Sequence, residues 1–108
     1  MEIKATETDC PVTNAMNVIG GKWKLPIIFH LGEKTHRFGE LKRTLAGITQ
    51  QMMSKQLKEL EDHGMVLRKV YAEVPPRVEY SLTDKGKSIF PVLESMAEWS
   101  ENHVTSGS

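Results

Sequence analysis

The short segment Ala46-Gly47-Ile48 constrains this chain more than any other, because it is long enough only to turn one amphipathic stretch back against the next. Before it, Arg37 to Leu45 places Phe38, Leu41 and Leu45 on one side and Lys42 and Arg43 on the other, the period of a surface helix. After it, Thr49 offers a hydroxyl suited to an N-cap, and Met53, Leu57 and Leu60 form the apolar stripe of a helix that runs to about His63 and stops at Gly64. Two helices joined by a short turn containing glycine form the helix-turn-helix pattern. The pattern is common, so its meaning depends on what flanks it.

Behind it, Val66 to Tyr71 and Val78 to Leu82 alternate in polarity and are rich in β-branched and aromatic residues. The connection Ala72-Glu73-Val74-Pro75-Pro76-Arg77 is stiff and turn-forming, so the pair reads as a β-hairpin with a protruding loop. A helix-turn-helix followed by a hairpin is the order of a winged helix, in which the second helix enters the major groove and the hairpin touches backbone or minor groove. Ahead of it, Cys10-Pro11 opens a first helix with Val12, Ala15, Met16 and Ile19 on one face, ended by Gly20-Gly21. A second helix carries Trp23, Ile27, Ile28 and Leu31 inward and closes at Gly32, with Pro26 either kinking it or delaying its regular start. At the other end, Thr83 caps a last helix bearing Ile89, Val92, Leu93, Met96 and Trp99, bent at Pro91. The fold class is α+β, mainly α: a winged helix-turn-helix domain with N- and C-terminal dimerisation helices. We assign residues 1–9 to a flexible N-terminus, 10–103 to a single domain and 104–108 to a frayed tail. Within the domain the helix-turn-helix spans about 37–63, the wing about 66–83 and the C-terminal dimer helix about 84–103.

A chain of 108 residues, 39% hydrophobic and 26% charged, suits one domain with a modest core and excludes a disordered tail. No apolar run approaches the roughly 20 residues that span a bilayer, and the first residues are acidic, so a cytoplasmic protein with no membrane partner is expected. The single cysteine excludes an internal disulfide framework and a four-cysteine zinc site, and it fits a reducing compartment. Formal net charge is zero, but it is unevenly spread. Residues 1–33 hold three basic and four acidic groups, residues 34–58 six basic against Glu40, and residues 59–108 five basic and nine acidic. A basic middle between acidic flanks suits an anion-binding face, since phosphate attraction acts within about 8–10 Å. The alternative is an ordinary solvated helix surface.

On the helix after the turn, Gln50, Gln51, Ser54 and Lys55 face away from the apolar stripe and are the candidates for reading bases. Thr49 stands where the helix N-terminus offers N–H groups to a phosphate, although a capping hydroxyl is already committed to the backbone. Arg37, Lys42, Arg43 and Lys58 are candidates for backbone phosphates, with surface charge as the alternative. Arg77 in the wing either enters a minor groove or pairs with Glu73 or Glu79. Cys10, beside Pro11 at a helix start, is a candidate oxidant or electrophile sensor because the dipole favours a thiolate there; its other role is a small side chain near a dimer interface. Val12, Met16, Ile89, Leu93, Met96 and Trp99 would leave a small monomer with an apolar patch that a two-fold partner covers. Such a dimer sets two recognition helices about 34 Å apart and demands a near-palindromic operator in double-stranded DNA. His30, His36, His63 and His103 lack metal-ligand spacing, and no nucleophile, base and orienting group fall in one motif. Neither metal, cofactor nor enzymatic activity is expected. The competing function is a winged-helix module for protein contacts.

Gly20-Gly21-Lys22-Trp23-Lys24, Arg37-Phe38-Gly39-Glu40-Leu41, Gln56-Leu57-Lys58-Glu59-Leu60-Glu61 and Pro75-Pro76-Arg77-Val78-Glu79-Tyr80-Ser81-Leu82-Thr83 with Gly86 resemble the HxlR-type winged-helix transcriptional regulators of bacteria, relatives of the MarR group. The resemblance runs from Cys10 to about Trp99. It implies a homodimer that binds an inverted repeat in a promoter and dimerises through its first and last helices. Repression is the expected sign, because a groove-bound dimer occludes a promoter. The resemblance also supports a signal through Cys10, since some members respond to oxidants or electrophiles through a cysteine placed there. Pro26 stands where an aliphatic residue would be expected, which bears on the second helix and leaves the DNA-reading elements untouched.

Overall fold

The computed structural model describes residues 9–105. Residues 1–8 of the flexible N-terminus assigned to 1–9, and residues 106–108 of the tail assigned to 104–108, lie outside them. In chain order the elements are α1 (Pro11–Ile19), α2 (Lys24–Leu31), β1 (His36–Arg37), α3 (Phe38–Thr44), α4 (Gln50–Asp62), β2 (Val66–Tyr71), β3 (Arg77–Leu82), α5 (Asp84–Lys87) and α6 (Phe90–Ser100). A wide π-type turn over Glu101–Thr105 follows α6, where a frayed end was expected at Val104 and Thr105.

The turn between α3 and α4 forms as its residues dictate. Gly47 adopts φ 89°, a left-handed conformation that L side chains rarely take, and the Ile48 N–H closes the turn on the Leu45 carbonyl at 3.3 Å. Thr49 then caps α4, its hydroxyl accepting the Met52 N–H at 3.0 Å. Ile27, Ile28 and Leu31 from α2 meet Leu41 and Leu45 from α3, Ile48 from the turn and Met53, Leu57 and Leu60 from α4 in one core. Tyr80, Leu82, Met65 and Val66 close it from the sheet side.

Among the described residues the strands pair antiparallel in the order β1, β3, β2, with Val66 opposite Leu82, Arg68 opposite Tyr80 and Tyr71 opposite Arg77. β1 was not expected. It holds two residues, His36 and Arg37, and exists through its pairing with Tyr80 and Glu79 of β3.

Both prolines act differently from a kink. Pro26 is the third residue of α2, where a missing N–H removes no helical bond, so the helix starts at Lys24. The single last helix expected over 84–103 is broken: α5 ends at Lys87, and α6 begins at Phe90 with Pro91 as its second residue. Within one continuous helix, Pro91 would collide with the carbonyl four residues earlier and leave it without a donor. Gly86 holds α5 in place. A Cβ there would fall 2.1 Å from the Met65 carbonyl oxygen, which itself accepts the Thr83 N–H at 3.1 Å.

Of the residues assigned to the dimer face, Leu93 turns to the chain's own core instead. Leu93 is 5% exposed and belongs to the core, and Ile89 is half-buried against it. The stripe on the last helix is wide enough to face two ways, and its Leu93 side turns inward on the chain's own α2.

Candidate nucleic-acid interface

The buried stripe of α4 decides which way the helix presents its polar groups. Met53, Leu57 and Leu60 are at most 1% exposed, so Gln50, Gln51, Ser54 and Lys55 are turned to solvent together, along the first two turns. Lys58 lies on the same side and pairs with Asp62 at 3.1 Å, both side chains well exposed. Thr49 is exposed, but its hydroxyl is held by Met52.

Arg37 at the end of β1 and Lys42 and Arg43 of α3 form a second set of cations. Arg37 and Arg43 are exposed and Lys42 half-buried, and Glu40 accepts the Arg37 backbone N–H at 2.8 Å, which fixes the entry to the helix. Among the described residues, Arg37, Lys42, Arg43, Lys55, Arg68 and Lys69 form no ion pair, whereas Lys24, Lys58, Arg77 and Lys87 do. The unpaired cations thus include the helix-turn-helix set and two residues of β2.

Arg77 makes the pairs expected of it as the alternative to a minor-groove contact. Its guanidinium lies 3.4 Å from Glu73 and 3.2 Å from Glu79, with its carbon 4.0 Å above the Tyr71 ring. The Nε contact to Glu79 lies within ion-pair distance without forming a hydrogen bond. Arg77 opens β3 rather than tipping the wing, and two carboxylates neutralise it there. In the loop between β2 and β3, Val74 is fully exposed.

One residue of the site escaped the sequence reading. Lys24, first in α2, is 8% exposed and donates to Gln56 Oε1 at 2.8 Å and Glu59 Oε1 at 2.6 Å, bolting α2 to the middle of α4. A buried ammonium without a partner would be costly, and these two oxygens supply the partners. The Lys24 hydrogen bond in turn holds the Glu59 carboxyl below the usual carboxylate range. Its spacing gives no sign of this, because the partners lie 32 and 35 residues away. Lys24→Met should lower stability by about 1–2 kcal/mol near neutral pH, the cost of a broken buried pair discounted because the Glu59 side chain is 41% exposed. A lowered carboxyl pKa contributes stability above the unfolded value of about 4.3 and loses it as pH falls through the folded one. The gap between urea melts of the two proteins should therefore shrink as pH falls below about 4.3 and through the folded value; a gap that stays undiminished on acidification would show that the ion pair is not the source.

Cys10 is the N-cap of α1, exposed, with Sγ accepting the Thr13 N–H at 3.5 Å. Hydrogen bonding from the Thr13 side chain, then from the Thr13 and Val12 backbone, holds the thiol below its usual pKa.

The remaining surface feature is apolar. Ile19 is the buried residue of α1 and Leu93 that of α6, while Val12, Met16, Phe29, Met96 and Trp99 are 50–70% exposed or close to it, Met96 being lowest at 49%. The radius of gyration, 15.6 Å, exceeds the roughly 13 Å of a compact domain of this length, in keeping with helices that project from the core. No helix among the described residues is long and apolar enough to cross a membrane.

Comparison with known proteins agrees with this geometry. The HxlR-like helix-turn-helix family pattern matches residues 18–108. The regulatory protein MalR of Fusobacterium mortiferum is 47% identical over 95 residues, covering 87% of this chain and 90% of MalR. A transcriptional regulator of the MarR family from Porphyromonas gingivalis W83 superposes with a TM-score of 0.86 at 40% identity, over 94% of this chain and 99% of that one. The redox regulator HypR superposes in its reduced form with a TM-score of 0.84 at 44% identity, over 90% of this chain and 96% of that one. In its oxidised form the TM-score is 0.81 at 47% identity, over 87% and 97%.

Proposed function

Because the chain belongs to the HxlR-like helix-turn-helix family of transcriptional regulators, we propose that it acts in the cytoplasm as a homodimer that binds a near-palindromic promoter site and represses by occluding it. The observation that carries this reading is the outward set Gln50, Gln51, Ser54 and Lys55, held in phase by a buried stripe and flanked by the unpaired cations of α3. A glutamine pairs bidentately with adenine in the major groove, and lysine and serine reach base edges. Arg37, Lys42 and Arg43 engage phosphates and set the register without reading sequence. Lys58 joins them by exchanging its exposed partner Asp62 for a phosphate, since surface pairs of this kind contribute little. The start of α4 after Thr49 adds its helix-end charge.

Val12, Met16, Met96 and Trp99 form the dimer contact, with Phe29 beside them. A helix of 9 residues that buries one side chain is marginal alone, and burial against a second copy stabilises it. The exposed Cys10 thiol at the start of α1 gives this dimer a response to oxidants or electrophiles, as a redox regulator among its structural neighbours suggests.

Two substitutions separate reading from positioning. Against a duplex selected from a randomised pool, Lys55→Ala should lose about 10–100-fold in affinity, corresponding to about 1–3 kcal/mol, with the dimer intact. Arg43→Ala should weaken that duplex and an unrelated one by a similar factor. Wild-type affinity in Lys55→Ala would place the reading face elsewhere.

A further inference from the structure

We propose that the notch between α4 and β2 seats one phosphate of the DNA backbone, with Arg68 as its chief ligand, so that Arg68 rather than Arg77 makes the wing's charged contact. The inference rests on the DNA-binding reading above and adds to it a residue and a ligand.

Strand alternation puts Arg68 on the face of the sheet turned toward α4. Val66, two residues before it, is 2% exposed in the core, and Tyr80, directly across in β3, is 7% exposed. α4 meets this face with Ser54, Lys58 and Glu61, spaced four and three apart along one side of the helix. Together Ser54, Lys58, Glu61, Arg68 and Tyr80 enclose a polar hollow of about 290 Å³. The hollow adjoins the base-reading turns, sharing Ser54 with them.

The charge balance sets the ligand. Arg68 is exposed and forms no ion pair, so its guanidinium is available as a two-pronged donor, the geometry that fits phosphate oxygens. Lys58 supplies a second positive charge once it leaves Asp62, and Ser54 a neutral donor. Glu61 opposes them. One carboxylate against two cations leaves a single net positive charge, which suits one bridging phosphodiester and disfavours a free polyanion. Arg77, by contrast, lies between Glu73 and Glu79 and would have to break both pairs to reach DNA.

The test compares Arg68→Gln, Arg68→Lys and Arg77→Gln in the full chain, titrating salt against the selected duplex and an unrelated one. Arg68→Gln should weaken both duplexes by the same factor, about tenfold, and make the slope of log K against log salt shallower by about two, one contact being lost in each protomer of the dimer. Arg68→Lys should keep the slope while losing part of the affinity, and Arg77→Gln should keep the slope. An unchanged slope in Arg68→Gln beside a salt-steep wild type overturns the inference and leaves the regulator reading standing, as does a loss confined to one base position. A wild type whose binding ignores salt overturns both.

Discussion

Replacing Met96 and Trp99 together by glutamate should yield a monomer whose affinity for a duplex with two half-sites falls by more than about a hundredfold, because the second half-site is no longer bound within the same complex. The effect is large because the face is apolar and little else supports it. Trp99 is 61% exposed and Met96 49%, on a helix whose buried residue is Leu93, and charges placed there must be desolvated on association. Neither side chain belongs to the core cluster, so the monomer should stay folded. Sedimentation beside gel shift would show the two losses together. A variant that sediments as the wild type, or a monomer that keeps full affinity, would mean that the dimer forms elsewhere or is not needed.

Diamide treatment should release the wild-type protein from its site, with at least about a tenfold loss of affinity, and leave Cys10→Ser unaffected. The chemistry needs a second thiol, since the chain has one cysteine. Diamide accepts two electrons and two protons as the Cys10 sulfur bonds to a small thiol or to a second chain. The hydrogen bonds at the start of α1 favour the thiolate, so the reaction should persist at a pH where an ordinary cysteine is protonated. An adduct there lies on the helix that carries the exposed Val12 and Met16, and it should disturb the packing proposed for them against a second copy. Equal responses from wild type and Cys10→Ser, or none from either, would leave Cys10 as the cap of α1 alone.

What could be read in advance follows from the range of each interaction. The α3 to α4 turn, the Thr49 cap, the phase of α4 and the hairpin are all local, written in spacings of a few residues, and they place Gln50, Gln51, Ser54 and Lys55 without further help. β1 is tertiary: two residues become a strand because β3 lies beside them. Lys24 looks like any surface lysine until the fold brings Gln56 and Glu59 to it. Leu93 and Met96 share an apolar stripe, and periodicity cannot tell which edge meets the chain's own core and which stays exposed. Arg77 had two visible fates, decided by where Glu73 and Glu79 fall across the hairpin. Arg68 went unnoticed because its value depends on strand register against α4.

The most direct test of the central claim is a salt titration of wild-type protein on a duplex selected from a randomised pool. With Arg37, Lys42, Arg43, Lys58 and Arg68 at phosphates in each protomer, log K should fall linearly with log salt, with a slope of roughly −5 to −9. Weak binding with a shallow slope, or none at low salt, would contradict the account and turn the same surface toward a protein partner.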